Sequence, residues 1–118
     1  MDEIEKIVDF VLKYSIYKSR EVIKKIIQQH LEYKTCDWAF DKDGEIIFVC
    51  RWNVNGVTAY VLDFILNPKY RNRGTRIFKW VLVRNLPRFP YIRFLKWDRE
   101  LKDKRQRFYS IKEMLKEE

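Results

Sequence analysis

Apolar positions at helical spacing mark the start of the chain as two helices. Over residues 4–14 they recur three and four positions apart and form one stripe, and Asp2 can cap the N-terminus of that helix. A second stripe covers residues 20–32 and follows Ser19, another residue type that caps helices. The only histidine, His30, lies on the apolar face of this second helix, which favours a packed position over a catalytic one.

From residue 36 onward the hydrophobic period changes to two, which is typical of strands. Residues 36–41, 45–54 and 57–66 are rich in β-branched and aromatic side chains. Asp43-Gly44 and Asn55-Gly56 separate these segments and are strong hairpin signals. The pattern therefore predicts an antiparallel meander of three strands.

Short turns would also fix the register of this meander. If both loops are tight, Asp63 lies opposite Phe48 on an almost wholly apolar face, and Cys36 lies opposite Cys50. A disulfide between the two cysteines is then geometrically possible. Two reduced cysteines inside a core are the favoured interpretation.

The second half of the chain predicts a parallel unit. A loop at 67–74 leads to a helix at about 75–86, a strand at 91–99 and a last helix at about 103–116. The last meander strand, the helix and the strand at 91–99 form a βαβ unit with a right-handed crossover. Apolar residues on both faces of the sheet require helices on both sides. We therefore expect a single domain over residues 1–118, a mixed α/β fold with helices on both faces.

Composition and charge restrict the class of protein. The chain has 118 residues, of which 47% are hydrophobic, so a disordered chain is excluded. The longest apolar run, Ile46–Cys50, is far shorter than the ~20 residues of a membrane span, and two cysteines are too few for a disulfide scaffold. A cytoplasmic protein is therefore expected, with no membrane partner and, with one histidine and two cysteines, no metal site.

Positive charge is concentrated in the second half of the chain. Residues 1–66 carry 9 Lys and Arg against 11 Asp and Glu, whereas residues 67–118 carry 16 against 6. This asymmetry indicates an anionic partner, which could be a phosphorylated cofactor, a nucleic acid or an acidic protein. A solvated surface rich in arginine is the alternative.

A basic loop leads directly into the predicted helix at 75–86. Arg71, Arg73 and Arg76 surround Gly74, where free backbone N–H groups and the positive end of the helix dipole converge. This arrangement suits a pyrophosphate group. The alternative is a turn in which the glycine supplies a positive φ and the arginines are only solvated.

The same stretch carries a family resemblance. Residues 64–76, FILNPKYRNRGTR, resemble the acetyl-CoA-binding motif of the GNAT superfamily of N-acetyltransferases, a hydrophobic strand followed by x-P-x-Y-R-x-x-G-x-G/A and a helix. Arg71 matches the first Arg or Gln of the motif and Gly74 its first glycine, while Arg76 stands where the motif has Gly or Ala. The order of predicted elements over residues 4–116 also resembles that of the family. The resemblance implies a GNAT-like fold and acetyl-CoA as cofactor.

The resemblance also implies residue roles. Backbone amides would hold the pyrophosphate at Arg71, Asn72, Arg73, Gly74, Thr75 and Arg76. The pantetheine arm would pair with the backbone of Phe64, Ile65 and Leu66. Tyr109, on the predicted last helix, matches a tyrosine that in the family often protonates the departing thiolate. Its alternative role is that of an amphipathic tyrosine at a helix edge.

The implied reaction is acyl transfer from a thioester to an amine, which needs a base, an acid and donors for the oxyanion. Asp63 is the candidate base, because burial on the apolar face of the meander would raise the pKa of its carboxyl group toward a value useful for a general base. Its alternative role is that of a buried partner for an arginine. The acceptor could be an amine of a protein or of a small molecule.

A binding protein is the alternative to an enzyme. Basic and aromatic residues alternate between Tyr70 and Lys96, and such a mixture can hold phosphates and stack bases. A non-enzymatic GNAT-fold protein could thus bind nucleic acid, or an acidic protein partner, through its basic C-terminal half. The strand at 91–99 would be a sheet edge, at which a homodimer could form.

Overall fold

The computed structural model describes residues 2–98 and 106–116. In these ranges the helices are α1 (Glu3–Tyr14), α2 (Arg20–Glu32), α3 (Gly74–Asn85) and α4 (Ile111–Lys116). The strands are β1 (Cys36–Phe40), β2 (Ile46–Asn55), β3 (Thr58–Leu66), β4 (Phe94–Asp98) and β5 (Gln106–Ser110). They form one sheet in the order β1-β2-β3-β4-β5.

The sheet is mixed, because β3 and β4 are parallel while β1 and β2, and also β4 and β5, are antiparallel. The α/β fold class and the parallel βαβ unit are thereby confirmed. None of the described helices is both long and apolar enough to cross a membrane.

Backbone contacts group the chain into two compact units. The N-terminal unit comprises Met1–Arg51 and Asp63–Asn72, and the C-terminal unit comprises Trp52–Leu62 and Arg73–Glu118. The single domain over residues 1–118 stays a prediction.

Side-chain caps define where the two helices of the N-terminal unit begin. The Asp2 carboxylate accepts from the backbone N–H of Ile4 (3.2 Å), and the Ser19 hydroxyl accepts from that of Val22 (3.4 Å). Each bond satisfies one of the N–H groups that a helix start leaves without an intrahelical partner. Both helices predicted from the apolar stripes are therefore confirmed, with the predicted caps.

The core of this unit lies between the two helices and the first hairpin. Ile7 and Val8 of α1 are fully buried, and Val49 of β2 is almost so. Other buried members are Phe10, Val11, Ile23, Ile27, Cys36 and Ile46. Burial of an aliphatic side chain of this size contributes about 1.5–3 kcal/mol, so the helices are held mainly by this apolar contact.

The register of the first hairpin differs from the prediction. Cys36 lies opposite Arg51 and Asp37 opposite Cys50, with an irregularity between Ala39 and Phe40. A shift of one residue moves a side chain to the other face of a sheet, so the cysteines do not face each other. Both are free and buried, and the alternative of a disulfide is excluded.

Asp63 is not opposite Phe48, and this prediction was wrong. The ring of Phe48 packs instead against that of Phe64, with centroids 5.9 Å apart. Both favoured types of two-residue hairpin turn need a positive φ at the first central residue, which in the predicted turn is Asn55. Gly56 has φ +63°, whereas Lys34 is the one non-glycine residue of the described chain with a positive φ, so Asn55 does not meet this requirement.

In the C-terminal unit, α3 packs its apolar face on aromatic and aliphatic side chains. Phe78, Val81 and Leu82 are buried, and the Phe78 ring stacks on that of Trp97 with centroids 4.9 Å apart. The parallel pairing runs from Thr58 opposite Phe94 to Val61 opposite Trp97.

The end of the chain departs from the predicted helix at 103–116. Residues 106–110 form β5, in which Tyr109 lies opposite Leu95, and only Ile111–Lys116 are helical. Residues 103–105 lie outside the described residues. Because β5 pairs with β4 on the side away from β3, the prediction of 91–99 as a sheet edge was also wrong.

Candidate functional site

Asn67 anchors the turn that follows β3. It is buried, its backbone N–H donates to the Ile47 carbonyl (2.9 Å), and its side-chain N–H donates to the Ile46 carbonyl (3.0 Å). Its own oxygens accept from the backbone N–H groups of Lys69 (3.1 Å) and Tyr70 (2.9 Å). This role was not predicted, although an asparagine directly before Pro68 is a typical turn signal.

The predicted loop after Asn67 is a 3-10 segment, Pro68–Arg73, with a kink at Tyr70. The Tyr70 hydroxyl donates to the Asp41 carboxylate (3.0 Å), and the Lys69 ammonium pairs with Glu45 (2.6 Å). These contacts hold the segment to the first hairpin of the same unit. Since a 3-10 turn bonds N–H groups to carbonyls three residues earlier, the amides of this segment are largely engaged by its own backbone.

The N-terminus of α3 offers backbone donors of a different kind. Gly74 is the first residue of the helix and has no positive φ, so the positive-φ turn of the alternative interpretation is not present; whether the arginines are only solvated stays untested. Arg73 occupies the N-cap position and makes no capping hydrogen bond with its side chain. The N–H groups of the first turn, Gly74–Arg76, therefore have no acceptor within α3 and no side-chain cap from Arg73.

The surroundings of this helix start are basic. Arg71, Arg73 and Arg76 are exposed, as are Asn72 and Thr75, and none of the three arginines is in an ion pair within the described part of the chain. With the helix dipole, three guanidinium groups make this segment attractive to an anion. The exposed side chain of Arg76 does not pack into the protein, although it stands where the motif has a small residue.

The backbone segment implied for the pantetheine arm lies at the end of β3. Phe64, Ile65 and Leu66 are half-buried, and Ile65 packs against the N-terminal core. All three follow Val61, the last residue of β3 in the described pairing with β4.

Asp63 lies in a polar network rather than on an apolar face. Its carboxylate pairs with the Arg51 guanidinium (2.6 Å) and accepts a hydrogen bond from the Tyr17 hydroxyl (3.0 Å). The Arg51 guanidinium also reaches Nε2 of His30 (3.4 Å), whose Nδ1 is 2.7 Å from the Thr35 hydroxyl. Asp63 is thus the partner of an arginine, which was the alternative interpretation of this residue.

The pKa values of this cluster follow from burial and from the neighbouring charges. Burial, together with the nearby Arg51 guanidinium, lowers the pKa of His30. Burial raises the pKa of the Tyr17 hydroxyl, and the Asp63 carboxylate raises it further. At neutral pH the cluster therefore contains a neutral imidazole and a protonated phenol around one ion pair.

Tyr109, the candidate acid, lies in β5 and not in a helix. It is half-buried and pairs with Leu95 of β4.

Neither cysteine suits nucleophilic chemistry, because burial raises the pKa of the Cys36 thiol to about 12 and that of Cys50 well above its usual value. Among residues 2–98 and 106–116 no group of three or more His, Cys, Asp and Glu side chains could hold a metal ion.

Comparison with known proteins gives structural and no sequence-level matches. No protein-family model and no curated protein matches this sequence. A candidate acetyltransferase from Pyrococcus horikoshii superposes with a TM-score of 0.66 at 21% identity, over 85% of this chain and 36% of that one.

Two further solved structures have related folds. The GNAT-like decarboxylase GphF, in complex with isobutyryl-CoA, gives a TM-score of 0.62 at 13% identity over 80% of this chain and 60% of that one. A mutant of the spermidine N-acetyltransferase SpeG from Vibrio cholerae gives 0.51 at 11% identity, over 80% and 64%.

The chain thus spans less than two thirds of the length of each of the three solved structures. At these identities the likeness concerns the fold. This chain has the GNAT fold.

Proposed function

We propose that this chain binds an acyl-CoA and transfers the acyl group, acetyl from acetyl-CoA, to a primary amine. The observation that carries the proposal is the exposed, uncapped start of α3, which is flanked by three exposed arginines. A helix start of this kind binds phosphate groups through free N–H groups and the positive end of its dipole. The isobutyryl-CoA bound to the GphF structure supports an acyl-CoA as the class of cofactor.

Within this proposal, the segments of the cofactor site have separate tasks. The first-turn amides of Gly74, Thr75 and Arg76 donate to the pyrophosphate. Arg71, Asn72 and Arg73 contribute mainly side-chain donors, because their 3-10 backbone is largely bonded internally. The backbone of Phe64–Leu66 pairs with the pantetheine arm, as the resemblance implies.

The transfer step breaks the thioester C–S bond while the amine nitrogen forms a bond to the acyl carbon. The nitrogen gives up one proton to solvent, and the departing thiolate takes up one proton. Tyr109 is the residue we propose as the proton donor. We do not propose Asp63 as the base, because Arg51 and Tyr17 engage its carboxylate. The acceptor class stays a primary amine, of a protein or of a small molecule.

Thermal unfolding with acetyl-CoA tests the cofactor site. A ligand at about 100 times its dissociation constant should stabilise the native protein by about 2.7 kcal/mol. We expect this shift in the wild type and its loss in the double variant Arg73→Glu/Arg76→Glu.

The matched control is Lys18→Glu/Lys25→Glu, the same change of charge at two exposed lysines of the N-terminal unit. The control should keep the shift. No shift at millimolar acetyl-CoA, or equal shifts in both double variants, would contradict the proposal.

Thiol release from acetyl-CoA in the presence of a panel of amines tests the transfer step. Tyr109→Phe removes only a hydroxyl and should lower turnover by about 10²–10⁴-fold, the usual contribution of a general acid. The thermal shift with acetyl-CoA should persist in this variant. Turnover at the wild-type level would remove Tyr109 from the mechanism while leaving the cofactor site intact.

A further inference from the structure

A second concave surface lies entirely within the C-terminal unit. A groove of about 750 Å³ opens between the end of α3, the turn that follows it and α4. Its lining is mainly apolar and includes Val83, Leu86, Ile92, Phe94, Ile111 and Leu115. Its size is in the range of specific binding sites, and it shares no residue with the proposed cofactor segments.

Backbone hydrogen bonds fix the floor of this groove. The N–H of Ile111 donates to the Arg93 carbonyl (3.0 Å), and Phe94 lies opposite Ser110 in the pairing of β4 with β5. Ile92 and Ile111 are buried, whereas Val83 on the wall is 57% exposed. The groove therefore has a preformed base and an apolar side that meets solvent.

The charges on the groove are of one sign. Arg93 and Lys112 line it, both are exposed, and neither is in an ion pair within residues 2–98 and 106–116. Among the described residues that line the groove there is no Asp or Glu. Cations beside an apolar groove favour a ligand that combines apolar groups with carboxylates.

The surface around the groove has the composition of a protein interface. Tyr91, between two lining residues, is 51% exposed, and Trp80, one helical turn before Val83, is 46% exposed. Arg84 lies 5.3 Å from the Trp80 ring centroid. Tyrosine, tryptophan and arginine are the residue types that dominate binding energy in interfaces between proteins.

We propose that this groove binds an acidic amphipathic segment of a partner protein. The apolar lining takes anchors at helical spacing, and Arg93 and Lys112 meet carboxylates on the flank of the segment. This binding does not depend on the proposed acyl-CoA function, because the two sites use different residues.

Selection from a display library of random 16-residue peptides tests the proposal. We expect wild-type protein to enrich peptides that combine Leu, Phe or Ile at helical spacing with several Asp or Glu. Enrichment of neutral or basic peptides, or no enrichment, would overturn it.

Fluorescence anisotropy of one enriched peptide then locates its site. We expect Kd to rise at least tenfold in Arg93→Glu/Lys112→Glu and in Val83→Asp, and to stay unchanged in Lys18→Glu/Lys25→Glu. Equal affinity in all four proteins would overturn the groove as the site. The groove variants should keep the acetyl-CoA shift of the wild type, so a failure of one proposal is distinguishable from a failure of the other.

Two other occupants give different results in the same set of variants. A wild-type dimer in sedimentation that becomes a monomer in Val83→Asp would assign the groove to a second copy of this chain. A single-stranded oligonucleotide whose binding persists at about 0.2 M salt and is lost in Arg93→Glu/Lys112→Glu would assign it to nucleic acid. Either result would overturn the acidic partner.

Discussion

Arg51 and Asp63 illustrate how a single residue depends on strand register. Their side chains are 15% and 19% exposed, and the pair is completed by Tyr17 and His30. A mostly buried ion pair is favourable only when the hydrogen bonds of both side chains are satisfied. Within the described residues, every buried side-chain N or O atom has a hydrogen-bond partner. The network therefore fixes the first hairpin to β3 and α2 inside the N-terminal unit.

Asp63→Asn should destabilise the protein by about 2 kcal/mol. The variant leaves the Arg51 charge without its counter-ion, and removal of one partner of a fully buried pair costs about 3–5 kcal/mol. The midpoint of urea unfolding measures the loss, with Asp43→Asn, at an exposed turn position, as the control. Equal midpoints of the two variants would show that the ion pair does not contribute to stability.

His30 should titrate below its ordinary pKa of 6.5, first because it is buried and second because Arg51 faces it. A hydrogen bond with the backbone of Thr35 and the charge of the Asp63 carboxylate raise this pKa and so act in the opposite direction. His30 is the only histidine, so one imidazole NMR signal reports its pKa directly. A measured pKa at or above 6.5 would contradict the burial of His30 beside Arg51.

The lowered pKa of His30 also affects stability. Below pH 6.5 the unfolded chain binds a proton that the folded protein binds only at lower pH. The contribution of His30 to stability is therefore complete above pH 6.5 and is lost as the pH falls through the folded pKa. As the pH is lowered from about 7.5 to about 5, the free energy of unfolding should fall more steeply in the wild type than in His30→Gln. Parallel plots of unfolding free energy against pH for the two proteins would contradict this contribution of His30.

At the scale of elements, the last strand shows where local pattern fails. Phe108, Ile111 and Leu115 are spaced as on a helix, yet residues 106–110 form β5. Pairing with β4 satisfies backbone groups along that strand, and such tertiary pairing overrides helical spacing over a short segment. Tyr109 thereby changes from a helix position to a strand position opposite Leu95.

The start of α3 affects both helix stability and the proposed binding of acetyl-CoA, and Thr75→Asp should change the two in opposite directions. An acidic side chain in the first turn should stabilise the free protein by about 0.3–1 kcal/mol, because it complements the helix dipole. The same charge should repel a pyrophosphate and abolish the thermal shift with acetyl-CoA.

Thr75→Asn, similar in size but uncharged, is the control and should retain the shift with acetyl-CoA. The measurement is the unfolding temperature of each variant, with and without acetyl-CoA. A retained shift in Thr75→Asp would place the diphosphate elsewhere.

At the scale of the whole molecule, the excess charge belongs to one unit. The C-terminal unit contains 14 Lys and Arg against 6 Asp and Glu, a net charge of +8, while the N-terminal unit contains 11 of each. The sum is the net charge of +8 of the chain. This field attracts polyanions whether or not the protein has a specific nucleic-acid site.

Binding of a 20-nucleotide single-stranded DNA should therefore be weak and electrostatic. We expect its affinity to fall about tenfold or more between about 0.05 and 0.2 M salt and to be unchanged in Tyr91→Ala. Affinity that persists at the higher salt, or that is lost with Tyr91, would indicate base stacking. Such a result would favour the nucleic-acid alternative over the transferase proposal.

The sequence by itself determined the elements whose signals are local. Apolar spacing predicted α1, α2 and α3, and cap residues marked the starts of α1 and α2, because a helix forms from contacts between neighbours in the chain. Alternation and turn residues predicted three strands, and the stretch at 64–76 predicted the GNAT fold.

Only the tertiary structure decided what depends on contacts between distant residues. The bulge near Phe40 and the turn at Gly56 set which side chains share a face, and so gave Asp63 an arginine rather than an apolar surface. Pairing with β4 made residues 106–110 a strand, and Asn67 became the anchor of the basic segment through carbonyls of β2. Register and pairing partners are set by hydrogen bonds and packing between distant residues, and these contacts produce no regular pattern in the sequence.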